Sequence, residues 1–319
     1  MHRPKSYDRE EILRLLLARG QGQHELFTQA CEARGSNRLA VRGVIEISNA
    51  CAKNCEYCSM RRQNTKLDRY ALTAEDIIKA SRVIAGAGIS TVFLQSGQSP
   101  KCDGLLEQAV PKIISVTNCD VLLCMGEKDK SVYERYKSLG ASSYILKFEC
   151  SNEDLFRSIT GTELSNRLAC IENLKAAGFK VGTGSIIGLP GQDINDIVND
   201  ILLAAALKPD FVSVSPFIAN KNTPFEDMPH ADIDLTLNMI AILRLMLPQT
   251  LIPTVSALEY IHSAGQAAGL NAGANVITVN FTPGRIRDQY SIYNSDRFVV
   301  SMDHAGKAAE QAGMELVLQ

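Results

Sequence analysis

Three cysteines fall within eight residues in the segment Ser48-Asn49-Ala50-Cys51-Ala52-Lys53-Asn54-Cys55-Glu56-Tyr57-Cys58. Thiolates are soft ligands that select zinc or iron–sulfur clusters. A structural zinc site takes four ligands, usually in pairs. No fourth Cys or His stands nearby: the next cysteines are Cys31 and Cys102, and the histidines are scattered. Three thiols on one loop suit three corners of a [4Fe–4S] cube and leave one iron open to a small ligand. A zinc site or a chance grouping is the alternative.

The elements that must carry this loop alternate. After an N-terminal helical stretch over residues 1–40, strand-like runs are expected at Val41–Ser48, Ser90–Gln95, Asp120–Met125, Ser142–Glu149, Phe179–Ile186, Phe211–Ser215, Leu251–Val255 and Asn275–Val279. Helical stretches separate them; one has Thr73 as N-cap with Asp76 three residues on, and another closes the chain at Met302–Ala312. Such alternation implies a parallel sheet with right-handed crossovers. Eight units fit a (β/α)8 TIM-type α/β barrel over 41–319, capped by the helices of 1–40; an open doubly wound sheet is the alternative. In either architecture the site lies at the C-terminal ends of the strands, where the cysteine loop falls.

Composition narrows the function classes. The 319 residues carry 33 basic and 35 acidic side chains, a net charge of −2, with 45% hydrophobic residues. Such a chain is globular, and near-neutral charge argues against a nucleic-acid protein. The longest apolar run, Ile201–Leu207, is too short to span a bilayer. Met1–Glu10 is charged and has no apolar core of an export signal, so a cytoplasmic location is expected. There the nine cysteines, an odd number, stay reduced and point to metal binding or catalysis.

The CxxxCxxC spacing, with the aromatic Tyr57 before its last Cys, resembles the radical S-adenosylmethionine (SAM) superfamily, and the resemblance runs along nearly the whole chain. Ser96-Gly97-Gln98 looks like the segment that holds the methionine amino group of SAM, although the family's acidic residue is Gln98 here. Glu149 stands where relatives bind the SAM ribose, and Arg167 matches the Arg that pairs with the SAM carboxylate. Gly184–Gln192, with Gly188 and Leu189, matches the segment lining the adenine. The resemblance is closest to the biotin synthase-like branch, which includes biotin synthase, the HydE-type [FeFe]-hydrogenase maturase and methylornithine synthase. Phe93–Pro100, the Gly188–Gln192 turn, and Ala272–Asn275 with Asn280–Pro283 look most like the maturase. The resemblance implies that a reduced cluster passes one electron to SAM and releases a 5′-deoxyadenosyl radical. It also implies a low-potential electron donor such as ferredoxin or flavodoxin, and a small-molecule substrate.

Of the other cysteines, Cys31, Cys119 and Cys170 read as small hydrophobes. Cys102 follows the second strand, Cys124 lies near the end of the third and Cys150 ends the fourth. In a barrel, three consecutive strands then deliver a thiol to the mouth, and a second, auxiliary iron–sulfur cluster on these three is expected. The alternative is three unrelated thiols. Ser215 and Asn220 after the sixth strand, and Arg285, Arg287 and Tyr290 after the last, are candidate substrate contacts, with one of the arginines anchoring a carboxylate. The mouth cysteines favour sulfur insertion at unactivated C–H carbons, with dethiobiotin to biotin the leading pair. The overall sequence favours the maturase, a methylornithine synthase-like rearrangement stands third, and a structural metal-binding protein is the non-enzyme reading.

Overall fold

The computed structural model describes residues 3–292 and 296–318. Its strands are β1 (Arg38–Ser48), β2 (Thr91–Ser96), β3 (Asp120–Cys124), β4 (Ser143–Ile145), β5 (Lys180–Ile187), β6 (Phe211–Pro216), β7 (Val276–Asn280) and β8 (Glu315–Val317). β1 to β6 pair in sequence order, all parallel, and β7 returns to the free edge of β1. Helices fill the crossovers, as a parallel sheet requires.

The gap between β6 and β7 is spanned by a segment too irregular to be a strand. Leu251 bridges Phe211 on one side and Pro253 bridges Val276 on the other. Backbone bonds follow both ways: Val212 N to Leu251 O at 3.0 Å and Thr254 N to Val276 O at 2.9 Å. The expected strand Leu251–Val255 is thus reduced to two bridges, because Pro253 has no N–H to give a ladder. The ring still curls into a (β/α)8-type barrel. β8, which the sequence pattern did not announce, adds to the start of β1 through Arg38–Ala40.

β4 is shorter than expected. Past Ile145 the chain stays beside β5, with Leu146 N on Gly182 O and Glu149 N on Gly184 O, but it leaves regular pleating. Glu149, joined to β5 by an isolated bridge to Ser185, sits in the left-handed region at φ 66° and lines the mouth.

Strand alternation sorts the interior into two cores. Val41, Ile45 and Ile47 of β1 pack outward against the helices in the large apolar cluster. Val44, Phe93, Leu122 and Ile145 form a second, small cluster in the lumen, with Cys124 packed against it. The helices Arg9–Leu16 and Gln21–Arg34 pack against the helix Ile233–Met246; Asn238 Nδ2 donates to the Leu16 and Ala18 carbonyls. The expected capping box is present, with Thr73 Oγ1 accepting from Asp76 N at 3.1 Å. No described helix is long and apolar enough to cross a membrane.

Candidate active site

The cysteine loop leaves β1 at Ser48 and is held by backbone bonds from several directions. Ala52 N donates to Gln98 O at 2.8 Å, Glu56 N to Ile159 O at 2.8 Å and Arg62 N to Lys53 O at 2.8 Å. Arg69 staples the outer layer, donating to the carbonyls of Asn49, Met60, Arg61 and Asn64. Asn49, fully buried, ties the same layer to Asp68 O, Tyr70 N and Gln289 O. Gly97 is dictated here: a Cβ would sit 2.5 Å from Ala50 O and 2.8 Å from Cys51 Cβ.

Cys51, Cys55 and Cys58 all line one cavity of about 320 Å³ at the C-terminal ends of the strands. That size suits a small molecule. Tyr57, Ser96, Gly97, Gln98, Glu149 and Arg167 share its wall, as do Ser215, Asn220 and Tyr290. Their partners form a connected polar network. Arg167, 7% exposed, donates through Nε to Glu127 Oε1 at 2.7 Å, and through Nη1 to the Lys147 carbonyl. Glu127 also takes Lys53 at 2.5 Å from the cysteine loop, and these two cations hold its carboxyl below the ordinary range against the opposing effect of burial. Glu149 pairs with Lys147 at 3.1 Å and lies 3.9 Å from Arg167. Gln98 Oε1 accepts from Glu127 N at 2.9 Å, so its acceptor is engaged within the protein. Asn220 Nδ2 holds the Tyr57 carbonyl at 2.9 Å.

Deeper in the lumen lie two features that motif reading passed over. Arg42, 8% exposed, donates through Nε to Thr278 Oγ1 at 2.7 Å and stacks over Phe93 at 5.0 Å. Among the described residues its Nη1 has no hydrogen-bond partner and no carboxylate pairs with it; burial lowers it to about 10 from 12.5, with Cys124 opposing. Burial also pushes the Cys124 thiol up to about 11. Nearer the mouth, Arg297 meets Glu46 in a bidentate pair, 7% and 3% exposed, and Thr282 Oγ1 adds a third bond to Glu46 at 3.1 Å. Arg297 also lies over the Tyr290 ring at 5.5 Å.

Several expected site residues lie elsewhere. Cys102 falls in the first turn of the helix Lys101–Thr117, not in a loop, and its thiol is buried within reach of the Ser96 and Ser48 hydroxyls. Cys150 is fully buried in the outer core, with its thiol toward Asn152 O and beside Asp196 and Asp200. Of the expected auxiliary trio only Cys124 lines the cavity, because Cys102 and Cys150 face the helical layer rather than the lumen. A second cluster on these three therefore lacks a common surface. Gly188 and Leu189 also stand behind the wall, where their N–H groups donate to Gln192 Oε1 at 2.7 and 3.2 Å; Ile186, two residues earlier, lines it. Arg285 is an exposed partner of Asp76 at 2.9 Å, and Arg287 lies outside the cavity wall. The cation that this segment sends inward is Arg297.

The cysteine loop has the chemistry to hold a cluster. Burial raises the Cys55 thiol to about 11, and burial with the two neighbouring thiols raises Cys58 further. Cys51 lies in electrostatic reach of both, and thiols so grouped gain from a shared cationic centre that offsets their charge. Among the described residues no three His, Cys, Asp or Glu side chains converge as a single metal ion requires.

The family described as the Radical SAM superfamily matches residues 45–204, and the Biotin and Thiamin Synthesis associated domain matches residues 205–298. The [FeFe] hydrogenase maturase subunit HydE of Thermotoga maritima is 37% identical over 306 residues, 94% of this chain and 88% of its own. A biotin synthase of Gloeothece citriformis is 29% identical over 285 residues, 84% of this chain and 79% of its own. The crystal structure of methylornithine synthase (PylB) shares the fold, with a TM-score of 0.88 at 24% identity over 98% of this chain and 95% of that one. With a cysteine triplet on the cavity wall and this family match across half its length, the chain belongs to the radical SAM superfamily and is a radical SAM enzyme.

Proposed function

We propose that the chain is a maturase of the HydE type that acts on a small anionic molecule inside the barrel. The observation that carries this reading is the 37% identity to HydE over 94% of the chain. The unpartnered Nη1 of Arg42 gives the substrate its charge: a buried cation with no carboxylate paired to it among the described residues is costly, and an anionic ligand supplies that partner.

In this reading Cys51, Cys55 and Cys58 hold a [4Fe–4S] cluster. The cluster and SAM together supply one-electron cleavage and a carbon radical. Arg167 and Glu149 orient the SAM carboxylate and ribose, while Ser96, Gly97, Gln98 and Tyr57 form the near wall. Gly188 and Leu189 act indirectly, by fixing Ile186. Ser215, Asn220 and Tyr290 line the space left for substrate, and the apolar floor of Val44, Phe93, Leu122 and Ile145 keeps water out. A low-potential protein electron donor completes the cycle, and an oxygen-poor cytoplasm suits the open cluster.

Sulfur insertion loses its main support, since Cys102 and Cys150 are turned away from the lumen. The test is replacement of HydE by the reconstituted chain in an in vitro maturation of apo-[FeFe]-hydrogenase. Recovery of hydrogen evolution is the expected result. Biotin formed from dethiobiotin, with no maturation, would overturn the reading in favour of sulfur insertion.

A further inference from the structure

Behind the cavity wall stands a carboxylate that lies outside the site. Asp200, on the helix Ile194–Leu207, has no exposed surface and does not line the cavity. Its Oδ1 accepts from both N and Oγ of Ser151 at 2.6 Å, and its Oδ2 accepts from Gln192 Nε2 at 3.0 Å. Among the described residues no Lys, Arg or His pairs with it, and the charge that acts on it, Asp196, has the same sign. A buried carboxylate without a cation is costly, so stability alone does not explain an acid here.

What Asp200 joins accounts for it. Ser151 follows Glu149 by two residues and Gln192 follows Ile186 by six, and both Glu149 and Ile186 line the cavity. Glu149 holds a left-handed backbone at φ 66°, which a residue with a side chain keeps only where its surroundings over-determine it. On one side β5 holds it: Glu149 N donates to Gly184 O at 3.1 Å, and Glu149 O accepts from Ile186 N at 2.7 Å. On the other side Ser151 anchors the chain through its two bonds to Asp200. Gln192 does the same for the second turn. Its Oε1 accepts from Gly188 N and Leu189 N, and its Nε2 donates to Ile186 O at 3.2 Å as well as to Asp200. With the amide oxygen taken up by two N–H groups, the amide nitrogen needs an acceptor, and Asp200 fixes its orientation. One carboxylate thus clasps the turns that follow two residues of the wall.

Resting on the placement of SAM against Glu149 and Ile186 given above, we propose that Asp200 is a positioning residue for the nucleoside half of SAM: by bonding Ser151 and Gln192 at once it locks the two turns together and sets the spacing of the wall residues they carry. Asp200 touches neither SAM nor the cysteines and acts through Gln192 and Ser151. The substitution Asp200→Asn isolates this role. It keeps an oxygen for Ser151 and has no charge to bury, but it turns an amide nitrogen toward Gln192 Nε2, so that two donors meet and Gln192 loses its hold. Gln192→Ala and the double variant complete a cycle. The probes are SAM, with dithionite as reductant, and S-adenosylhomocysteine, which has the same nucleoside and is not cleaved.

On protein reconstituted without oxygen, Asp200→Asn is expected to raise the calorimetric Kd for S-adenosylhomocysteine and the KM for SAM about tenfold, the upper worth of one hydrogen bond. The kcat is expected to stay within about twofold, as it does when a change weakens binding and leaves the chemical step alone. Hydrogen exchange of the peptide covering residues 186–192 is expected to quicken. A merely structural role would lower the melting temperature and the amount of active protein without this split between KM and kcat. If Asp200 acts through Gln192, the double variant binds no more weakly than Gln192→Ala alone. Effects that multiply in the double variant would overturn the proposal, as would unchanged Kd and KM in Asp200→Asn; both leave the enzyme reading intact. Should Asp200→Asn fail to fold, Gln192→Ala carries the same test, and an unchanged Kd there overturns the proposal. Failure of the wild type to bind S-adenosylhomocysteine and to cleave SAM would overturn the placement of SAM itself, and the role of Asp200 with it.

Discussion

Arg297 grips Glu46 through two parallel hydrogen bonds of 2.6 Å each, tying the C-terminal segment to the first barrel strand inside the cavity. The two residues are 251 positions apart, and both are almost fully buried. A fork-to-carboxylate pair of this kind fixes geometry as well as charge. It also holds Tyr290, which lies beneath the guanidinium, against the cavity wall.

Removing one partner leaves the other charge buried and alone. Arg297→Leu is therefore expected to destabilise the chain by about 3–5 kcal/mol. Glu46→Leu/Arg297→Leu, which removes both charges, is expected to recover most of that loss. Urea unfolding of the four proteins of this cycle gives the coupling directly. A double variant as unstable as the single one would show that Arg297 acts by packing and not by charge.

Iron content separates one cluster from two. Reconstituted without oxygen, the wild type is expected to hold about four irons per chain, and Cys51/Cys55/Cys58→Ala none. Cys102→Ser and Cys150→Ser are expected to leave iron unchanged, since both thiols point into the helical layer. Iron near eight in wild type, lowered by either single substitution, would restore the auxiliary cluster.

Legibility in the sequence followed distance along the chain. The cysteine triplet lies on one loop, so spacing alone announced it. The barrel showed itself through apolar runs and caps such as Thr73 with Asp76, each a local signal. The pair of Glu46 and Arg297 has no local signal, because its partners meet only after the barrel closes. Arg42 and Glu46 did carry one: they alternate with Val44 along a β-branched strand, which places all three on one face. Charged side chains on the lumen face of a parallel strand already point to a site. Cys102 and Cys150 misled for the converse reason. Position at a strand end sets which end of the barrel a residue occupies, but one residue more or less decides between lumen and helical layer. Pro253 likewise broke a strand that its apolar neighbours suggested.

The approach of Gly97 to the cysteine loop predicts a sharp effect from one methyl group. Gly97→Ala sets a Cβ against the Ala50 carbonyl at 2.5 Å and Cys51 Cβ at 2.8 Å. Backbone on the far side cannot yield as a side chain does, so the loop carrying Cys51 must shift. The expected outcome is a folded protein, with far-ultraviolet circular dichroism and chromatographic behaviour of the wild type, that retains less than half of its iron after reconstitution. Full iron retention would mean that the loop adapts, and that Gly97 serves another need.

Asp200 gives the apo protein a pH dependence of defined sign. It is fully buried behind the Gly188–Gln192 turn, where it accepts from Ser151 N and Oγ at 2.6 Å and from Gln192 Nε2 at 3.0 Å. Burial raises its carboxyl to about 7 from 3.8, outweighing the Ser151 bonds, and Asp196 adds to the rise. Between those two values the folded chain keeps a proton that the unfolded chain has released. This group's contribution to stability is therefore greatest below pH 4, declines as pH rises toward 7 and is level above it. Asp200→Asn keeps an oxygen for Ser151 but has no charge to bury. Its melting temperature is expected to gain on that of the wild type steadily from pH 4 to pH 7, and the gap to stay constant from pH 7 to pH 9. A gap that is flat across the whole range would show that Asp200 ionises alike in the folded and unfolded chain, and that the hydrogen bonds from Ser151 and Gln192 compensate its burial in full.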